Sequence, residues 1–368
     1  MSFITAFGTA NPSHQFSQKA LADFMVRSMQ LNQNDARKLR SIFRATGIES
    51  RYSVLADYGK SQDFDFYPNT PDFEPFPSTQ KRLETFQDQA LPLSVVAVKN
   101  MIDSASIDLQ IITHLIVVSC TGMYAPGLDI DLVKALHLPT TTQRTCINFM
   151  GCYAAFNAIK VADAYCKANA NSKVLIICTE LCSLHFQKNP SENNLLANAL
   201  FADGSAAVLV EALSEQPIKL ALEHFHNDLA TEGEHDMAWT VGDLGFEMKL
   251  SAYVPNIIQS GIQKLTNRLL QNISKDIQDI KYVALHPGGK KIVEVIERQL
   301  NLTKEQNIHT YDVLRQYGNM SSPTILFVLN EIFINLSSQD DGERILSLAF
   351  GPGLTLESMV LKIHSVNA

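Results

Sequence analysis

The chain has no run of lysine or arginine, and its 30 basic residues are outnumbered by 38 acidic ones, for a net charge of -8. That balance does not build the cationic field that nucleic acid or an anionic membrane surface requires. No apolar stretch is long enough to cross a bilayer, and the opening Met-Ser-Phe-Ile-Thr-Ala-Phe-Gly carries neither a basic leader nor a sustained apolar core. A cytoplasmic location is expected. Six cysteines (Cys120, Cys146, Cys152, Cys166, Cys178 and Cys182) stand at irregular spacings in one half of the chain, which is not a disulfide framework. Cys178 and Cys182 lack the paired spacing of a structural zinc site, so no metal is expected. No glycine-rich phosphate loop precedes a helix, so no nucleotide cofactor is expected either.

What is present is a large apolar complement, 46% of 368 residues, more than one core usually holds. Two fused halves are the natural expectation. Ser2 to Ala10 reads as a strand, and Phe16 to Met29 and Asn34 to Thr46 read as helices, the second one basic through Arg37, Lys38, Arg40 and Arg44. Asp57 to Ser78 is aromatic, acidic and proline-rich, an ordered excursion or lid whose aromatics need something to cover. Helix resumes from Thr79 to Ser104.

From there the order of elements repeats. A buried strand, His114 to Ser119, ends at Cys120; a helix and the strand Gln143 to Phe149 follow, then the Gly151-Cys152 turn, a helix, and the strand Lys173 to Thr179. In the second half the strand Lys281 to Leu285 ends at His286; then come the helix Lys290 to Leu300, an extended piece near Asn307 to Tyr311, the Gly318-Asn319 turn, a helix from Pro323 and the strand Arg344 to Phe350. Cys120 to His286 is 286 - 120 = 166 residues, and Cys152 to Asn319 is 319 - 152 = 167. A duplicated unit with this order predicts an α/β fold of mostly parallel sheets, stacked back to back as a five-layer αβαβα sandwich. The halves are residues 1-212, carrying the cysteine, and 213-368, carrying the histidine and asparagine. Stacked about a pseudo-twofold axis, they bring Cys152, His286 and Asn319 together.

Each of the three stands where a turn enters a helix. A thiol at a helix start faces free N-H groups and the positive end of the helix dipole, which lowers its pKa to about 3.5 to 7.5 and makes a nucleophile. Gly151 permits the tight turn that presents it. Ser321 or Ser322 is placed to cap the helix at Pro323.

These motifs resemble the type III polyketide synthases, the chalcone synthase-like branch of the thiolase superfamily. The resemblance runs through Gly8-Thr-Ala-Asn-Pro12, Cys120-Thr-Gly, Ala125-Pro-Gly-Leu-Asp129, Gly151-Cys152, Ala199-Leu-Phe-Ala-Asp-Gly204, His286-Pro-Gly-Gly289, Tyr317-Gly-Asn-Met-Ser321 and Phe350-Gly-Pro-Gly-Leu-Thr355, in the family's order. It implies that Cys152 takes an acyl group from an acyl-CoA, while His286 and Asn319 stabilise the enolate formed as malonyl-CoA loses carbon dioxide. It further implies Phe201 as an aromatic gatekeeper, Ser321, Gly351 and Pro352 beside the pocket, Lys38, Arg40 and Arg44 as CoA contacts, CoA thioesters with no resident cofactor, and a homodimer. Ala125 stands where plant members place a bulky residue from the partner subunit, and His185 where a small polar residue lines the pocket. Room near Ala125 and cover from the aromatic excursion together point to a fatty acyl starter and an alkylpyrone or alkylresorcinol product. The competing readings are a β-ketoacyl synthase of the fatty-acid initiation type, which condenses once, and, from another class, a catalytically inactive homologue serving as a binding partner.

Overall fold

The computed structural model describes residues 1-251 and 253-365. The first half runs β1 (Phe3–Ala10), β2 (His14–Ser17), α1 (Gln18–Ser28), α2 (Gln33–Ala45), β3 (Ser50–Ser53), α3 (Thr79–Ala105), β4 (His114–Ser119), α4 (Leu128–Ala135), β5 (Gln143–Asn148), α5 (Ala154–Ala168), β6 (Lys173–Leu181), α6 (Glu192–Leu200) and β7 (Asp203–Glu211). The second runs β8 (Ile218–Leu229), β9 (Met237–Gly242), β10 (Gly245–Leu250), α7 (Val254–Gln271), β11 (Tyr282–Leu285), α8 (Lys290–Leu300), α9 (Ile308–Tyr317), α10 (Thr324–Phe333), β12 (Arg344–Gly351) and β13 (Thr355–Ser365). The proposed boundary at 212 and 213 falls in the connection from β7 to β8.

Why the strands read as unbroken apolar runs is visible in where alternate residues go. Leu115, Val117, Leu175, Ile177, Ala207 and Leu209 face an outer core with Phe86, Ala97 and Met101 of α3. Their neighbours Ile116, Val118, Val174, Ile176, Val208 and Val210 face the opposite way, into a central core with Phe156 and Ile159 of α5 and Phe327 and Leu329 of α10. The second half repeats this: Ile345, Ala349, Met359 and Leu361 enter the central core, while Leu346, Leu348 and Val360 meet Ile262 and Leu265 of α7 and Val293 of α8. Both faces of both sheets are thus buried by the two-residue period of a strand. The result is five layers.

From the seam outward the strand order is β1, β7, β6, β4, β5 in one half and β8, β13, β12, β11 in the other. The two sheets join edge to edge where Phe3 lies opposite Ala221 and Ile4 opposite Leu220, and where Leu222 N donates to Ser2 O (2.9 Å). Pairing is less parallel than alternating elements suggest. Among the described residues only β4 with β5, β4 with β6 and β11 with β12 are parallel strand pairs; the pairs nearer the seam are antiparallel, as for β12 and β13, joined by a short turn. Among the described residues the second half also lacks a counterpart of β5. The extended piece expected near Asn307 to Tyr311 is instead the start of α9, and one backbone bond, Val283 N to Gln306 O, is what remains of an edge strand there.

The excursion from Asp57 to Ser78 folds onto itself. Tyr58, Tyr67, Phe73 and Phe76 are buried against one another and against Phe24 of α1 and Phe186. Asp57 holds it, accepting from the backbone N-H of Asp65, Phe66 and Tyr67. Its aromatics extend the outer core, and of them Tyr58 reaches the lining of a cavity beside the site described next.

Candidate active site

Cys152 lies in a single 3-10 turn, Gly151 to Tyr153, that leads into α5. Gly151 has φ +75°, and a Cβ there would sit 2.6 Å from Pro352 Cδ, so both conformation and space demand glycine. The matching turn of the second half has the same requirement: Gly318 has φ +71° and its Cβ would meet Arg51 Cδ at 2.8 Å. Asn319 is then fixed by backbone bonds on both sides, Asn319 N to Leu200 O (2.9 Å) and Ala202 N to Asn319 O (2.8 Å), which set it beside Phe201. Its Oδ1 accepts from Ser321 N at 2.8 Å, leaving the amide nitrogen for the cavity. His286 extends β11 by one residue through His286 N to Leu348 O (2.8 Å).

Cys152, His286 and Asn319 line one cavity, with room of about 20 Å³, together with Cys120, Phe201, Met237, Trp239, Met248, Leu250, Phe350 and Pro352. The ends of corresponding elements in the two halves do converge. His286 is 1% exposed, yet neither ring nitrogen has a partner. A buried polar group left open in this way is costly, which is the mark of a group kept for a ligand. Burial pulls its pKa down to about 3, so the ring is neutral and offers one donor and one acceptor.

The thiol departs from the sequence expectation. Burial pushes Cys152 up to about 12, against hydrogen bonds from Ser321 and Asn319 that pull it back. A helix terminus is worth about 0.3 to 1 kcal/mol, whereas full burial shifts a group by as much as about 3 to 5 pKa units, each 1.36 kcal/mol. Desolvation wins, and the 3-10 turn sets the thiol one turn ahead of the regular helix. At rest Cys152 is a thiol beside a neutral imidazole.

Neither Ser321 nor Ser322 caps α10. Pro323 holds the cap position, Thr324 Oγ1 donates to Ser321 O (2.9 Å), and Ser322 Oγ donates to Glu180 Oε1 (2.6 Å). Glu180 is a fully buried hub that sequence reasoning missed. It also accepts from Thr121 Oγ1 (2.7 Å), Cys120 N (2.9 Å) and Cys120 Sγ (3.2 Å), and burial raises its pKa. Cys120 Sγ in turn lies 3.3 Å from Ser321 Oγ. A lone glutamate at the end of an apolar strand gives no sign in sequence that five groups, Ser119 Oγ (3.2 Å) among them, will converge on it. Trp239 and Met248 were missed as well.

The remaining expected residues are dispersed. Gly351 packs on Tyr153, and a Cβ there would meet its ring at 2.4 Å. Ala125 lines a different cavity, with Phe86, Tyr124, Cys146 and Asn148. Arg40 is paired with Asp23 at 2.9 Å, and Lys38 and Arg44 lie exposed on α2. The same helix does reach a larger cavity through Ile42 and Ala45, where Lys290 and Lys291 at the start of α8 form the other rim. That cavity shares Leu250 and Gly288 with the catalytic one.

His185 lines the adjoining cavity and offers no free polar atom. Nε2 donates to Thr121 O (2.6 Å), Nδ1 accepts from Phe246 N (2.9 Å), and the ring stacks on Phe246 at 4.3 Å. Burial lowers its pKa to about 3. An unfolded chain binds that proton below about 6.5 and the native one does not, so stability falls as pH drops from about 6.5 toward 3. At pH 4 the loss from this ring alone is about 3 kcal/mol by that reckoning. His185→Gln keeps a donor and an acceptor without the titration. Its urea midpoint is expected to fall less than that of the wild type between pH 7 and pH 4, and an equal fall would contradict the clamp.

Two family models, the chalcone and stilbene synthase N-terminal and C-terminal domains, match residues 1–214 and 221–366. The chain belongs to the chalcone and stilbene synthase family. It is a type III polyketide synthase, an enzyme class that performs decarboxylative Claisen condensation. The alpha-pyrone synthesis polyketide synthase-like protein Pks18 of Mycobacterium tuberculosis is 30% identical over 98% of this chain and 91% of its own length. Among solved structures, PKS-I of the brown alga Ectocarpus siliculosus superposes with a TM-score of 0.92 at 30% identity, covering 98% of both chains. The C-terminal type III polyketide synthase domain of Steely1 from Dictyostelium gives 0.90 at 29% identity and 99% coverage of both. Of the readings left open by sequence, family membership selects the polyketide synthase over single condensation and over an inactive homologue.

Proposed function

We propose that Cys152 carries the growing chain and that His286 and Asn319 run the decarboxylation. The observation that carries this is the convergence of a buried thiol, an imidazole with both nitrogens open and a fixed carboxamide in one largely apolar cavity. As Sγ attacks the acyl-CoA carbonyl, neutral His286 accepts the thiol proton and returns it to the departing CoA sulfur. The thioester oxygen of malonyl-CoA then accepts from His286 and from the Asn319 amide. With carbon dioxide leaving, the electron pair of the broken C-C bond moves into an enolate whose oxygen those donors stabilise. The enolate carbon attacks the acyl-cysteine, the C-S bond breaks, and Cys152 is released. Closure by Phe201, Trp239, Met248 and Leu250 excludes the water that would quench the enolate.

The CoA thioester would enter through the cavity that shares Leu250 and Gly288 with the site. Its phosphates would meet Lys290, Lys291 and the N-terminal turn of α8, with Lys38 and Arg44 further out on α2. Changing Lys290 and Lys291 to alanine together is expected to raise KM for an acyl-CoA at least tenfold and leave KM for the matching N-acetylcysteamine thioester unchanged. Equal changes for both substrates would contradict the placement.

The product class proposed is an alkylpyrone or alkylresorcinol from a fatty acyl starter and malonyl-CoA, in line with the alpha-pyrone named for the mycobacterial relative. A cytoplasmic setting is proposed from the six free thiols. A homodimer is proposed through β5, whose edge position and exposed alternate residues, Cys146 among them, leave a strand unpaired on one side. Sedimentation at micromolar concentration should give twice 40.8 kDa; the monomer mass would refute it.

A further inference from the structure

Arg51 on β3 is 4% exposed, whereas Arg37, Lys38 and Arg44 shortly before it lie at the surface. Burying a guanidinium is costly, and burial lowers its pKa to about 10. Among the described residues no carboxylate pairs with it: Asp203 acts on it through space, and the Asp203 oxygens are taken by Val54 N, Ser183 N and Ser183 Oγ. The two acceptors of Arg51 are neutral. Nε donates to Gln18 Oε1 (2.9 Å) and Nη1 donates to Phe201 O. Gln18 is itself anchored, donating from Nε2 to Ala199 O (2.7 Å) and to Thr46 Oγ1 (3.1 Å). A buried cation without an ion pair needs another reason to be there, and its grip on Phe201 supplies one.

Phe201 is the residue that pairs with Asn319. The two form an isolated parallel bridge, closed by Asn319 N to Leu200 O and Ala202 N to Asn319 O, with no longer ladder to fix it. Arg51 touches this bridge twice. Its head holds the Phe201 carbonyl, and its stem lies against Gly318, where a Cβ would come within 2.8 Å of Arg51 Cδ. Cys152 and His286 are held by other means, the turn into α5 and the bond from His286 N to Leu348 O. Arg51 itself is not among the residues that line the catalytic cavity.

We propose that Arg51 is a positioning residue for decarboxylation: by clamping Phe201 O and Gly318 it sets where the Asn319 amide meets the thioester oxygen of malonyl-CoA. This rests on Asn319 as a donor to the enolate oxygen. Such a donor acts from about 2.7 to 3.1 Å, and a misplacement of about 1 Å can cost roughly 100-fold in rate. Loading of Cys152 does not pass through the clamp.

Release of labelled carbon dioxide from malonyl-CoA and loading of Cys152 by acetyl-CoA are measured for wild type, Arg51→Met, Arg51→Lys, Asn319→Ala and the double variant Arg51→Met with Asn319→Ala. Arg51→Met is expected to lower kcat for carbon dioxide release at least tenfold, with KM for malonyl-CoA and the loading rate within about twofold of wild type. The amine of Arg51→Lys keeps the charge but not the two-way fork, so its release rate should fall between the two, at least threefold below wild type; it also carries the test should Arg51→Met not fold. Because Arg51 acts through Asn319, the double variant should release carbon dioxide no more slowly than Asn319→Ala alone. Equal losses of loading and release in the Arg51 variants, a wild-type release rate in Arg51→Lys, or a further loss in the double variant overturns the clamp. Slow release in Asn319→Ala beside normal release in both Arg51 variants removes the clamp and keeps Asn319 as the donor, whereas normal release in Asn319→Ala removes both.

Discussion

Cys152→Ala is expected to load no acyl group from any CoA thioester and to lose condensation by on the order of 10⁴-fold or more, since removal of a nucleophile leaves only what binding and oxyanion donors supply. Two other thiols make the assignment testable. Cys120 lines the same cavity, but its sulfur is tied to Glu180 and Ser321, and burial raises its pKa well above the ordinary thiol value. Cys146 lies exposed on the edge strand β5. Cys146→Ala should load and condense as the wild type does, and Cys152→Ala should keep the wild-type melting temperature within a few degrees because only one sulfur is lost. Intact-protein mass spectrometry after brief exposure to acyl-CoA decides the matter: an adduct persisting in Cys152→Ala would move the nucleophile elsewhere, with Cys120 the first candidate.

The second large effect is a separation of two half-reactions. Asn319→Ala is expected still to acylate Cys152, while release of labelled carbon dioxide from malonyl-CoA falls about 100 to 1000-fold, the cost of one lost oxyanion donor. His286→Ala should slow both steps, because the imidazole takes the thiol proton as well as donating to the enolate oxygen. With Cys152 pushed up to about 12, a thiolate does not form unaided at neutral pH, so this histidine matters more to loading than the sequence suggested. Should Asn319→Ala fail to load yet release carbon dioxide normally, the roles would be reversed.

The legible part of this protein was its duplication. Offsets of 166 and 167 residues put Cys120 over His286 and Cys152 over Asn319, and the structure returns the same strand order outward from the seam in both halves up to the edge strand β5, which only the first half has among the described residues. Unbroken apolar runs such as His114 to Ser119 foretold strands buried on both faces. What sequence could not show depends on neighbours far along the chain. The Cys152 thiol has its acidity set by burial under groups from both halves, not by its own helix. Trp239 and Met248 sit in a hairpin whose partners are chosen only once β9 and β10 dock beside Phe201. Glu180 gathers Cys120 and Thr121 from one half of the chain and Ser322 from the other. The excursion carried visible aromatics, but whether they covered a channel or one another depended on Phe24 and Phe186 standing within reach.

Iterative decarboxylative condensation from Cys152 is tested by incubating the purified protein with lauroyl-CoA and malonyl-CoA carrying a labelled methylene carbon and weighing the released products. Cyclic products that retain the lauroyl chain and two or three labelled malonyl-derived units are expected, and none with Cys152→Ala. A single extension unit in every product, with the open-chain β-ketoacyl thioester as the end point, would contradict it.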